Sequence, residues 1–113
     1  TAIDMTDIGT GFQIANVILD GNQSVLIVAT ILSQNDTVDK ANAFTFDRSG
    51  TAIGQTWSML AHTAAVNRTI TLTFLDSKPA AGNYTYKVQW SVSAASTGTI
   101  TGRVLGLAVI PSA

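Results

Sequence analysis

Apolar and polar residues alternate along much of this chain of 113 residues, and the alternation is clearest in residues 82–92. Every second position there carries an apolar or aromatic residue: Tyr84, Tyr86, Val88, Trp90 and Val92. The positions between them are polar: Thr85, Lys87, Gln89 and Ser91. Because successive side chains of a strand point to opposite faces, this pattern predicts a β-strand with one buried side and one side facing water.

Similar segments recur between turn-forming residues, and we predict seven strands, at 12–19, 25–32, 44–47, 53–60, 69–75, 84–92 and 99–110. Asp20 and Gly21 tolerate the positive φ of a tight reversal, which predicts a hairpin between the first two strands. Short, regularly spaced strands are typical of sandwiches, jelly rolls and barrels. We therefore expect an all-β fold, an antiparallel two-sheet β-sandwich of jelly-roll type with about eight strands.

The chain fits one domain, which we assign to residues 10–113, with residues 1–9 as an N-terminal arm or extra strand. Two predicted strands, within 25–32 and 104–110, are largely apolar on both faces. A strand of a two-sheet sandwich should keep one face for water, so the second apolar face needs cover. We expect another subunit to supply that cover, through these interface residues: Leu26, Val28, Leu105, Leu107 and Val109.

Composition supports association and excludes several classes of partner. Hydrophobic residues make up 46% of the chain and charged residues only 12%, about half the usual fraction, which leaves little polar material to cover a monomer. No apolar run approaches the ~18 residues of a membrane span, and a net charge of −1 supplies no basic field. We therefore expect neither a membrane nor a nucleic acid as partner. The chain has no cysteine, so disulfides and thiolate metal sites are excluded.

The sequence offers little for catalysis, so we expect no enzyme, no cofactor and no metal site. His62 is the only histidine, and we predict a loop or structural role for it. Asp36 and Asp39 lack the spaced ligands of a calcium loop, and we predict that they cap a surface loop. Trp57 fits the core better than an exposed sugar platform. If the chain binds a receptor or carbohydrate, we expect loops 34–43, 61–68 and 94–98 to carry the site. The candidate residues are then His62, Trp57, Asp36 and Asp39.

The second half of the chain carries a recognisable order of segments. A Thr-rich strand in 68–75 is followed by the turn Lys78-Pro79-Ala80-Ala81-Gly82, a Tyr-x-Tyr strand, and an apolar strand that begins at Arg103. This order resembles the small jelly-roll modules of tailed-phage virions, found in tail fibres, head fibres and capsid cement proteins. The resemblance implies a trimer with an architecture similar to that of tumour-necrosis-factor and complement-protein heads, and it implies no catalytic residues.

The resemblance therefore predicts a structural virion protein, a homotrimeric cement or decoration protein that stabilises a phage head. Its expected partner is the major capsid protein or another virion protein, and its expected location is the surface of the capsid or tail. The alternative is a receptor- or carbohydrate-binding head domain of a phage tail fibre, whose partner would be a glycan.

Overall fold

The computed structural model describes residues 3–4, 13–61 and 63–111, and these residues form eight strands and no helix. The strands are β1 (Ile3–Asp4), β2 (Gln13–Leu19), β3 (Gln23–Asn35), β4 (Ala41–Arg48), β5 (Thr51–Leu60), β6 (Arg68–Asp76), β7 (Gly82–Val92) and β8 (Gly98–Pro111). The seven strands predicted from the sequence correspond to β2 through β8. The prediction of an all-β sandwich is confirmed.

The strands divide into two antiparallel sheets. In the three-stranded sheet, β3 lies between β6 and β8. In the five-stranded sheet, β7 pairs with β4, which pairs in turn with β5. The short β1 and the longer β2 occupy successive stretches of the other edge of β7.

The pairing is nested along the chain, as a jelly roll requires. The β4–β5 pair lies inside the β3–β6 pair, which lies inside the β2–β7 pair. These three pairs form one long antiparallel ribbon, and rolling that ribbon brings β3 beside β8 and β4 beside β7. The order of strands in the two sheets is therefore that of a jelly roll.

The hairpin predicted at Asp20 and Gly21 is wrong. β2 pairs with β7, whereas β3 pairs with β6 and β8, so this turn carries the chain from one sheet to the other. Gly21 does have the positive φ that the sequence indicated, at 91°. The actual tight hairpin joins β4 to β5 through Ser49 and Gly50, whose φ values of 48° and 95° suit a type I′ turn.

The core lies between the two sheets and contains the residues that the alternation placed inward. Tyr86, Val88 and Trp90 of β7 are buried, and the ring of Trp90 stacks on Phe44 with 6.5 Å between centroids. From the other sheet, β3 contributes four residues without solvent exposure: Val25, Ile27, Ala29 and Ile31. Four residues at the margins of the core are partly buried against this cluster: Tyr84 and Val92 of β7, and Ile70 and Phe74 of β6.

Candidate functional site

Three loops meet at one end of the sandwich, and they are the loops that the sequence nominated for a binding site. The amide of Asp36 donates to the carbonyl of Thr97 at 2.9 Å, which joins the β3–β4 loop to the β7–β8 loop. The amide of Ala65 donates to the carbonyl of Asn35 at 2.8 Å, which adds the β5–β6 loop. Chain segments far apart in sequence therefore form one continuous surface.

The structure describes three of the four nominated residues and places them in two different settings, two on the β3–β4 loop and one within β5. Asp36 is exposed and accepts hydrogen bonds from the Thr97 amide and the Thr37 hydroxyl, both at 2.8 Å. These bonds lower the pKa of the Asp36 carboxyl and fix the loop. Asp39 is exposed on the same loop. Trp57 lies within β5 and is half-buried against the core, as the core interpretation predicted. Its ring meets that of Phe46 edge to face, with 5.5 Å between the ring centroids. His62 lies outside the described residues.

A buried polar network that the sequence analysis missed holds these loops. Asn42 donates to the Ser33 hydroxyl at 3.3 Å and to the Gln34 carbonyl at 3.0 Å, and it accepts from Asn35 at 3.1 Å. Asn35 also donates to the hydroxyl of Ser96 in the β7–β8 loop, at 3.1 Å. In sequence, such residues look like ordinary turn formers, and only the packing of three loops reveals the network.

The cavity beside this network is too small for an organic ligand. It lies between the Asn35–Asn42 pair and side chains of β5 and the following loop, including Met59 and Val66. Its volume of ≈ 10 Å³ matches roughly one water molecule, whereas sites for small molecules span about 300–1,000 Å³. The network is best explained as the support that pins the three loops.

The second candidate site is the outer surface of the three-stranded sheet. Residues directly opposite each other across a strand pair share a face, so the register assigns these positions outward. They are Ser24, Leu26, Val28, Thr30 and Leu32 on β3, Thr69, Thr71, Thr73 and Leu75 on β6, and Gly102, Val104, Gly106, Ala108 and Ile110 on β8. None of these residues carries a charge.

Much of this surface is both apolar and exposed to solvent. We name as the outer apolar face its six exposed apolar side chains: Leu26, Val28, Leu75, Val104, Ala108 and Ile110. Leu26 and Val28 keep 37% of their surface exposed, and Val104 keeps 68%. Exposed and contiguous apolar surface of this kind commonly marks a contact with another protein.

The outer side of the five-stranded sheet is different in character. Its central strand β7 presents polar side chains outward, among them Lys87, Gln89 and Ser91, and the neighbouring Thr45 bonds Thr56 through their hydroxyls at 3.1 Å. Polar groups on this side suit water. The two outer sides of the sandwich therefore differ in charge: the described outward residues of the five-stranded sheet include a lysine, whereas those of the three-stranded sheet include no charged residue.

The residues predicted for the interface divide between the two faces of the three-stranded sheet. Leu26 and Val28 point outward, whereas Leu105 and Leu107 point inward and pack against the core. Val109 lies opposite the buried Val25 and so shares the inner face, although it remains 39% exposed near the strand end. The outward apolar residues of β8 are instead the even-numbered ones. The sequence pattern could not show this, because both faces of the strand are apolar.

An ionic network connects the two sheets near the other end of the sandwich. The guanidinium of Arg48 on β4 contacts both carboxylate oxygens of Asp76 on β6, at 2.6 and 2.8 Å. The hydroxyl of the buried Tyr86 on β7 donates to the same carboxylate at 2.6 Å. This carboxylate raises the pKa of the Arg48 guanidinium, which also lies 5.5 Å from the ring centroid of Tyr84. The network fastens β6 of one sheet to β4 and β7 of the other.

This network predicts loss of stability in alkaline solution. Burial, and then the hydrogen bond to Asp76, raise the pKa of Tyr86 well above its usual value near 10. The folded state therefore keeps this proton where the unfolded chain loses it. Its stabilising contribution should be complete below about pH 10 and should disappear as the pH rises towards the folded pKa.

Urea unfolding between pH 8 and pH 12 measures this effect. We expect Tyr86→Phe to reduce the fall in unfolding free energy over this range, since phenylalanine has no proton to lose. Tyr84→Phe is the matched control, because the Tyr84 hydroxyl donates to the Ala80 carbonyl at the exposed surface. An alkaline slope that is the same in the Tyr86→Phe variant and the parent protein would contradict the prediction.

No other feature of the described residues identifies an activity. They contain no group of three or more histidine or acidic side chains able to hold a metal ion, and no helix long and apolar enough to cross a membrane. Comparison of the chain with family models, with curated proteins and with solved structures found no match.

Proposed function

We propose that this chain is a structural protein of a tailed-phage virion, a homotrimer that binds the capsid surface and stabilises it. The observation that carries the proposal is the outer apolar face on a sheet side without a single charge. We expect the uncharged outer side of this jelly roll to contact another protein, because exposed and contiguous apolar surface commonly marks such a contact. We place this contact in a virion because the order of segments in the chain resembles that of phage jelly-roll modules.

The outer apolar face would act by removing apolar surface from water. Full burial of a Val, Leu or Ile side chain contributes about 1.5–3 kcal/mol, so burying the exposed part of each contributes roughly 1 kcal/mol. In a trimer this gain recurs at three equivalent contacts. On the inner side of this sheet, Val25, Ile27 and Ala29 are fully buried, so association at the outer face would leave their packing unchanged.

The first test is the mass of the chain in solution, measured by light scattering on a size-exclusion column. We expect three times the chain mass of 11.8 kDa. Val28→Lys should abolish the trimer, because it places a charge at the centre of the outer apolar face, opposite Gly106 and Thr73. Ser58→Lys is the control, because Ser58 is exposed on the outer side of the five-stranded sheet.

The second test is cosedimentation with capsids of the phage that encodes the chain. We expect the parent protein and Ser58→Lys to bind these capsids, and Val28→Lys to lose binding by at least tenfold. A trimer that survives Val28→Lys would refute the role of the outer apolar face, and a trimer with no affinity for capsids would refute the function in the virion.

A further inference from the structure

The described structure shows neither a steric nor a conformational need for glycine at position 106. A Cβ atom added there would meet nothing within 4 Å in the described structure, and its φ is not positive. By contrast, Gly98 has no room for a Cβ atom, because Asn42 lies 2.6 Å from where it would stand. Glycine inside a strand costs about 0.5–1 kcal/mol relative to alanine and often marks the approach of another backbone. A glycine at this open position is compatible with the approach of a second chain.

The strand that contains Gly106 is an edge of its sheet. β8 is 14 residues long and pairs with β3 along one side, and no described strand pairs with its other side. Natural proteins usually guard such an edge with charges, prolines or a short strand. β8 carries only one charged residue, Arg103, and its proline, Pro111, stands at the very end. This edge is suited to pairing with another strand.

We infer that the edge of β8 with which no described strand pairs lies antiparallel to β8 of a second copy of this chain, with the two-fold axis at Gly106. A residue that lies a given number of positions before Gly106 in one copy then faces the residue that lies the same number of positions after Gly106 in the other copy. Gly106 faces its own counterpart, Val104 faces Ala108, and Gly102 faces Ile110. Each large outward side chain is thus opposite a small one, and the two glycines leave the outer face at the two-fold axis free of side chains.

Charge also favours a second copy as the occupant. In this register Arg103 faces Val109, and the two Arg103 residues stand six positions apart, about 20 Å, so they do not repel strongly. On the inner side Leu105 faces Leu107. Because β8 has only one charged residue, a partner strand with few charges suits it best. The β8 strand of a second copy is such a strand.

The pairing goes beyond the proposed function and does not depend on it. Edge pairing uses backbone N–H and C=O groups, so the outer apolar faces of both copies remain side by side and available for the contact within a trimer. With both contacts present, the mass should rise with concentration from three chains to six.

A single introduced cysteine tests the register directly, because the chain has none of its own. Directly opposite residues of antiparallel strands have Cα atoms about 4.5–5.5 Å apart, within the range that a disulfide spans. We expect Gly106→Cys to form a disulfide-linked dimer under mild oxidation, seen for most of the protein on a denaturing gel without reductant. The open space at Gly106 lets the variant fold, which its thermal unfolding under reducing conditions verifies.

Gly102→Cys is the matched control, since it lies on the same face of the same strand with its nearest neighbour, Leu32, at an ordinary 3.6 Å. In the inferred register the two Gly102 residues are eight positions apart, about 27 Å, so less than a tenth of this variant should cross-link. Equal cross-linking of both variants, or none in Gly106→Cys, would overturn the inference. A trimer without the disulfide would leave the proposed function intact, whereas a disulfide dimer of a chain that never forms trimers would leave only the β8 pairing.

Discussion

Gly98→Ala is expected to lower the free energy of unfolding by roughly 2–4 kcal/mol. The added Cβ would lie 2.6 Å from the side-chain oxygen of Asn42 and 2.8 Å from the ring of Trp90, well inside contact distance. Asn42 and Trp90 are both buried, so neither can move without disturbing the core or the network that pins the loops. Urea unfolding followed by tryptophan fluorescence measures the change.

Gly102→Ala is the control for this prediction. It makes the same change on the same strand, but the added Cβ would have its nearest neighbour at 3.6 Å. We expect no loss of stability there and a gain of up to about 1 kcal/mol, because alanine is favoured over glycine inside a strand. If Gly98→Ala proves as harmless as Gly102→Ala, the close packing of β8 on Asn42 and Trp90 does not exist as described.

The sequence was sufficient to predict the strands because their signal is local. Alternation at positions 84 to 92 placed Tyr86 and Trp90 inward, and the structure buries both. The partners of the strands are not a local property. Asp20 and Gly21 correctly predicted a turn with positive φ. The same residues suit a turn after which the next strand pairs with the preceding one and a turn that carries the chain to the other sheet, as here.

The candidate surfaces show the same division. The doubly apolar strands at 25–32 and 104–110 predicted apolar side chains on the outside of a sheet, and the structure shows such side chains of both strands exposed there. Alternation cannot tell which residues of such a strand point outward, because both faces look alike. Only the register with the buried Val25 places Leu105 and Leu107 inward and Val104 outward. The Asn35–Asn42 network depends on contacts between loops, for which the sequence has no pattern.

Asp76→Ala is expected to lower the free energy of unfolding by about 3 kcal/mol. The substitution removes the acceptor that Arg48 and Tyr86 share, and breaking a buried ion pair from one side typically costs 3–5 kcal/mol. The expected value is at the lower end because the Arg48 side chain is 26% exposed and can regain water. The Tyr86 hydroxyl is buried and cannot. Asp20→Ala at an exposed turn is the control, with a loss of about 1 kcal/mol or less.

A double-mutant cycle between Asp76 and Tyr86 separates the two parts of this loss. Without Asp76, the Tyr86 hydroxyl is a buried donor without a partner, which costs about 1–3 kcal/mol. Tyr86→Phe removes that donor, so Asp76→Ala combined with Tyr86→Phe should be more stable than the sum of the two single losses predicts, by about 1–2 kcal/mol. Strictly additive losses would show that Tyr86 and Asp76 do not interact, and would leave the Arg48–Asp76 ion pair as the polar contact between the sheets in this network.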